Sequence, residues 1–149
     1  MKKFSFQLEP VLKYKSDILE VRRNEHSRAL KAVVDQENHI QELENEKRAY
    51  MLEFEEKKKG FITVIEASVY ESYLQRQNAV IRTEHKKLKQ LQKTEEEKRN
   101  IMIEAKKEKL SIEKLREIKV GQYNQAVQKE NEMFIEEFVS NSRIRMQQG

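Results

Sequence analysis

The chain has 149 residues, 38% of them charged, a formal net charge of +4 and a mean hydropathy of −0.93. That length suits one domain; the lack of cysteine excludes disulfides, thiolate metal sites and a cysteine nucleophile, and no stretch approaches the roughly 18 apolar residues of a membrane span. Ala, Leu, Lys, Arg and Glu supply nearly half of the residues, which predicts long helices or coiled coil, while a 37% hydrophobic share speaks against a disordered chain.

The chain opens on its most apolar text, "FSFQLEPVLKYK", residues 4–15, where two phenylalanines, two leucines, a valine, a tyrosine and the only proline crowd together. Met1–Leu12 imitates a signal peptide briefly. Glu9 and Pro10 interrupt the apolar run and no small-residue cleavage pattern follows, so a cytoplasmic location is expected. Pro10 sits where a helix can begin, because the first turn needs no proline N–H.

A first helix is predicted from about residue 10 to 59. Its partner-facing positions read Ala29, Val33, Gln36, Ile40, Leu43, Lys47, Tyr50 and Phe54. This alternation of fours and threes is the heptad seam of a coiled coil. Upstream, Leu8, Val11, Leu12, Ile18, Leu19 and Val21 cover more than one face, implying extra partner surface at that end.

Gly60 after three lysines marks a helix stop. The β-branched "FITVI" that follows reads as part of a compact connector, about residues 60–77, with one short helix starting near Glu66. A second long helix is predicted over about 77–138. Its seam runs Ile81, Glu84, Leu88, Leu91, Glu95, Lys98, Met102 and Ala105, then Ile112, Leu115, Ile118, Tyr123, Ala126, Met133 and Phe134 with a register slip near Leu115. Residues 139–149, "VSNSRIRMQQG", read as a flexible tail.

The fold expected is all-α: a long antiparallel two-helix coiled-coil hairpin with a short connector, forming one domain over 1–149. Lengths of roughly 74 and 92 Å place Phe54 near residue 84, Ala29 near 109 and Val11 near 127. Lys13 and Lys15 would then meet Glu130, Glu132, Glu136 and Glu137. The polar seam residues Gln36, Lys47, Glu84, Glu95 and Lys98 would weaken the middle, with Lys47 reaching a facing glutamate as a register device.

Catalytic chemistry has little to stand on. His26, His39 and His85 are scattered, the first two on nearly opposite helix faces, and no zinc-protease motif, P-loop, dinucleotide turn or nucleophile elbow occurs. A two-helix rod also lacks a concave, desolvated pocket. The reading is therefore not an enzyme, with no catalytic residues, no cofactor and no metal. Lysine clusters such as "EEKKKG" and "EAKKEK" alternate with glutamate, so no phosphate-tracking face for nucleic acid emerges. Nor do the basic clusters lie opposite a bulky apolar face, as membrane-surface binding requires.

The charge map is more telling. Residues 1–15 carry +3 and residues 139–149 carry +2, so the stretch between is close to neutral. In a hairpin both basic ends would share one apolar base, suited to a ring or socket with acidic walls.

"FSFQLEPVLKYKSDILEVRRNE" resembles the opening of the flagellar FliJ family, and "EKLSIEKLREIKVGQYNQAVQKENEMFIEEF" is similar to that family's second helix. The resemblance covers nearly the whole chain. It implies a stalk-like component of the flagellar type III export apparatus whose base enters the hexameric export ATPase and promotes its assembly and turnover. Contacts with the cytoplasmic domain of the export gate and with export chaperones are implied too, with the membrane approached only indirectly, at its cytoplasmic face. The ATPase-contacting base would comprise Phe4, Phe6, Leu8, Val11, Leu12, Phe134, Phe138, Arg143 and Arg145. Gate contact maps to Tyr73, Gln77, Val80 and Glu84, of which Gln77 and Glu84 are more polar than the family pattern. The stalk of a virulence secretion ATPase and a generic coiled-coil scaffold are the competing readings.

Overall fold

In the computed structural model, which describes residues 2–148, the chain forms two helices, α1 (Glu9–Lys58) and α2 (Val64–Gln148). The described residues contain no strand. The two helices contact each other extensively and antiparallel, as a helical hairpin.

Local chemistry explains the boundaries. Pro10 lies in the first turn of α1, where the Glu9 N–H reaches back to the Phe6 carbonyl and the Leu12 N–H to the Leu8 carbonyl. At the other end the Lys59 N–H bonds the Glu56 carbonyl and the Gly60 N–H the Lys57 carbonyl, tightening the last turn. Gly60 stops the helix without a positive φ. Helix α2 then starts on a threonine N-cap: Thr63 Oγ1 accepts from the Glu66 N–H at 3.1 Å, and the Thr63 carbonyl takes the Ala67 N–H.

That cap corrects the expected connector. The link between the helices is residues 59–63, not 60–77, because Thr63 and Glu66 cap a helix and the β-branched residues beside them become its first turn. At the far end α2 does not stop near 138; residues 139–148 continue the helix.

The earlier start moves the whole pairing. Phe54 stacks on Tyr70 rather than lying near 84. Gln36 meets Glu84, His26 meets Glu95, and Lys15 ion-pairs with Glu108 at 2.9 Å, not with the acidic run at 130–137. Both seams nevertheless follow the heptad reading from Ala29 to Phe54 and from Ile81 to Ala105, where every expected position is buried or half-buried. Beyond Ile112 the expectation holds only at Tyr123. Leu115, Ile118, Ala126, Met133 and Phe134 are exposed, and the partner-facing line passes through Arg116, Val120, Tyr123 and Val127. The 4-4 step from Ile112 through Arg116 to Val120 is the register slip, and it turns the leucine and isoleucine outward.

The hairpin divides into two compact units. In the first, Met1–Leu19 with Glu104–Gly149, the buried apolar residues are Leu19, at 2% exposure the most enclosed in the chain, and Ala105. In the second, Glu20–Ile103, they are Val33, Ile40, Phe54, Tyr70 and Ile81, with Gln36 as the buried polar member. Each large apolar side chain contributes about 1.5–3 kcal/mol on burial. With so few of them, the core is thin.

Its polar members are satisfied. Gln36 donates from Nε2 to both the Glu84 carbonyl, at 3.0 Å, and the Glu84 carboxylate. His39 approaches the same carboxylate at 4.0 Å. Thus His26 and His39, expected on opposite faces, both reach α2 glutamates, because long side chains at the two edges of a seam bend toward it. Lys47 is half-buried but makes no ion pair among the described residues, so the expected Lys47–Glu register device is absent there.

Candidate partner-binding surfaces

The expected base residues separate into two groups. Phe4, Phe6, Leu8 and Leu12 are half-buried, and Val11 is at the border of exposure. The extended segment before α1 lies against α2. The Phe4 ring meets Tyr123 edge-on at 5.6 Å, and the Arg116 guanidinium sits 5.5 Å from the Phe4 centroid. Arg116 Nε also donates to Glu9 at 2.9 Å, while Tyr123 Oη donates to the Lys2 carbonyl at 2.6 Å. A groove of about 650 Å³, lined by this segment with Leu115, Lys119 and Tyr123, runs beside the clasp.

Phe134 and Phe138 belong to no such packing; they are 70% and 66% exposed. They lie one helical turn apart on the line already followed by Arg116, Val120, Tyr123 and Val127, past the point where the N-terminal segment supplies cover. Arg143 and Arg145, both exposed, follow. The single basic base is therefore corrected: Lys2 and Lys3 border the groove near Lys119, and Arg143 lies about 36 Å further along α2 by the rise per residue.

The residues mapped to gate contact sit in the second unit. Tyr73 is half-buried with its ring 3.9 Å from Tyr50, and its hydroxyl accepts from Gln77 Nε2 at 2.8 Å. Glu84 accepts from Gln36. Three of the four thus face α1, and Val80 is the outward one, 44% exposed.

Beside them is an aromatic cluster that sequence reasoning did not single out. Tyr50, Phe54, Tyr70 and Tyr73 bring their rings within 3.9–4.9 Å of a neighbour, and Tyr70 Oη donates to Glu53 at 3.0 Å. Lys58 Nζ sits 4.0 Å from the Phe54 centroid. Burial, then the neighbouring Tyr70 and Glu53, pushes the Tyr50 phenol up; the neighbouring Tyr70, whose ring centroid is 5.7 Å from the Lys57 ammonium, raises Lys57. The signal available was the Y-x-x-x-F and Y-x-x-Y spacing on either side of Gly60.

One polar contact in the seam carries a pH dependence. Glu95 accepts from His26 Nε2 at 2.8 Å and from Arg99 Nη2 at 2.8 Å, and these bonds hold its carboxyl below the ordinary carboxylate range. A carboxyl with a depressed folded value stabilises the fold above its unfolded value and loses that contribution as pH falls through the folded one. Glu95→Gln is expected to lower the melting temperature at neutral pH and to flatten its decline on acidification, the two curves converging at low pH. A variant curve parallel to the parent would contradict this.

No helix of the described chain is long and apolar enough to cross a membrane, and the described residues contain no cluster of three or more His, Cys, Asp or Glu placed to hold a metal ion. What the fold presents is mostly exposed helix surface, and the class it defines is that of all-α helical hairpins. The chain belongs to the FliJ family: the family model described as the flagellar FliJ protein matches residues 4–148. That membership makes it a component of the flagellar protein export apparatus. No curated protein and no solved structure matched the chain.

Proposed function

We propose that this protein is the stalk of the flagellar export ATPase: a non-enzymatic hairpin that binds the hexamer, promotes its assembly and turnover, and links it to the cytoplasmic domain of the export gate and to export chaperones. The observation carrying this reading is the bare end of α2. Its partner-facing line continues through Phe134 and Phe138, both exposed, beyond the Phe4–Tyr123 contact, and Arg143 and Arg145 follow as cations for acidic ring walls.

In this reading Phe134, Phe138, Arg143 and Arg145 touch the ATPase directly. Phe4, Phe6, Leu8, Val11 and Leu12 border the contact and hold α2 through the Tyr123 and Arg116 clasp. Gate contact uses Val80 and the edges of Tyr73, Gln77 and Glu84. A stalk acts without chemistry: touching one interface of a ring differently from the others biases that interface, and the coupling is the difference in contact energy.

The test is ATP turnover by the flagellar export ATPase titrated with this protein. Stimulation saturating near one chain per hexamer is expected. A helical protein that leaves turnover unchanged would refute the stalk reading.

A further inference from the structure

The N-terminal segment leaves one edge open. Every residue from Lys2 to Leu8 lines the groove beside α2, yet only Phe4, Phe6 and Leu8 are half-buried and the residues between them are exposed. That alternation is the side-chain pattern of an extended strand with one face on α2. A groove touching a single face would meet every second residue, so this one runs along the backbone edge. Among the described residues, the N–H groups of residues 3–6 and the carbonyls of residues 3–5 bond to nothing within the chain. An extended backbone with a free edge is a template for another strand. Two strands alone are marginal in water and need a surface to pack on, which α2 supplies through Leu115 and Tyr123.

The charges specify the guest. Three lysines line the groove and no acidic residue does. Lys2, Lys3 and Lys119 make no ion pair among the described residues. Glu9, the carboxylate nearest the segment in sequence, is held by Arg116 at 2.9 Å, and Glu117 lies about 200° around α2 from Leu115 and from Lys119. Elsewhere the lysine clusters alternate with glutamate; here the balancing carboxylates have to come from outside. The guest that fits therefore alternates carboxylates with apolar side chains. A membrane surface fits less well, because Phe4, Phe6 and Leu8 turn toward α2 and the exposed residues are Lys3, Ser5 and Gln7.

We propose that this groove binds an acidic, apolar segment of a partner protein as a strand added along residues 3–6, its carboxylates on Lys2, Lys3 and Lys119 and its apolar side chains on Leu115 and Tyr123. The site does not rest on the ATPase reading, since its evidence is the groove alone. Phe134 lies about 17 Å beyond Tyr123 along α2, so both surfaces can be occupied together.

Fluorescence anisotropy with a short, end-blocked peptide alternating glutamate with valine tests it, using the full-length chain and no ATPase. Saturable binding that weakens with added salt is expected, and a lysine–valine counterpart should not bind. Lys2→Glu, Lys3→Glu and Lys119→Glu together should weaken binding by about tenfold or more. Lys86→Glu with Lys87→Glu, on exposed α2 surface elsewhere, should leave it unchanged. The clasp survives the triple reversal, because Lys2 joins it through its carbonyl. Bound peptide should slow amide exchange at residues 3–6. Methylating every second peptide nitrogen should abolish binding in one alternation and spare it in the other, since a strand offers alternate amides to each neighbour. No saturation, equal weakening by both sets of lysine variants, unchanged exchange at residues 3–6, or phosphatidylglycerol vesicles bound through the same lysines in place of the peptide would each overturn the proposal.

Discussion

Replacing Phe134 and Phe138 together with alanine is expected to weaken binding to the flagellar export ATPase by about a hundredfold or more, with helical content and melting unchanged. The first half of that expectation rests on the behaviour of exposed aromatics that become anchors in a complex. Truncating one anchor commonly costs about 2 kcal/mol or more, and these two lie one turn apart on one helix line, so they would enter the same socket. The second half rests on their surroundings in the free protein: at 70% and 66% exposure they contribute almost nothing to the fold. Phe4→Ala provides the contrast. Its ring packs on Tyr123 and under Arg116, so its loss should loosen the N-terminal clasp, seen as faster amide exchange around residues 115–123, while ATPase affinity falls only slightly. Titration calorimetry with the ATPase separates the two. Equal losses for Phe4 and for the Phe134 and Phe138 pair would mean that the ATPase grips the clasped N-terminal segment rather than the bare helix.

The largest stability effect belongs to the aromatic cluster beside the connector. Phe54→Ala is expected to destabilise the fold by about 3 kcal/mol, the cost of deleting a buried ring and leaving a cavity that the neighbours fill only in part. Phe54 is 5% exposed and stacks on Tyr70 at 4.9 Å with an 11° interplanar angle, and the Lys58 ammonium sits 4.0 Å from its centroid. The adjoining Tyr50–Tyr73 contact cannot collapse into the gap without giving up its own 3.9 Å packing. Phe61→Ala is the internal control: that ring is fully exposed in the connector, so its removal should change urea stability by less than about 0.5 kcal/mol. Similar values for the two variants, measured by circular dichroism, would show that the cluster does not hold this end of the hairpin.

Much of this was legible in the chain itself. Composition and the four-three alternation of Ala29 to Phe54 and of Ile81 to Ala105 pointed to two helices and to the residues that meet between them, because a seam leaves the same periodic mark on each helix whatever the partner's register. The apolar N-terminal text marked a segment that packs on α2 through Phe4 and Tyr123, whereas the shared basic base read from the charge of the two ends did not form. Family resemblance was legible too, over nearly the full length.

Register was not legible in the same way. Thirteen residues of α2 were read as connector because "FITVI" is β-branched and apolar, although Thr63 caps the helix through the Glu66 N–H and outweighs the weak β preference of its neighbours. Each residue taken from the connector shifts one helix against the other, so that single local reading displaced every cross-hairpin pair. Its consequences were large: Lys15 pairs with Glu108, Phe4 packs on Tyr123, and Phe134, expected in the seam, is bare like Phe138. The sequence by itself determined two helices, their seam residues from Ala29 to Phe54 and from Ile81 to Ile112, and the family. Only the tertiary structure decided the offset between them, because a heptad seam repeats itself and would accept several registers, while the turn and the ring contacts of Tyr50, Phe54, Tyr70 and Tyr73 accept one.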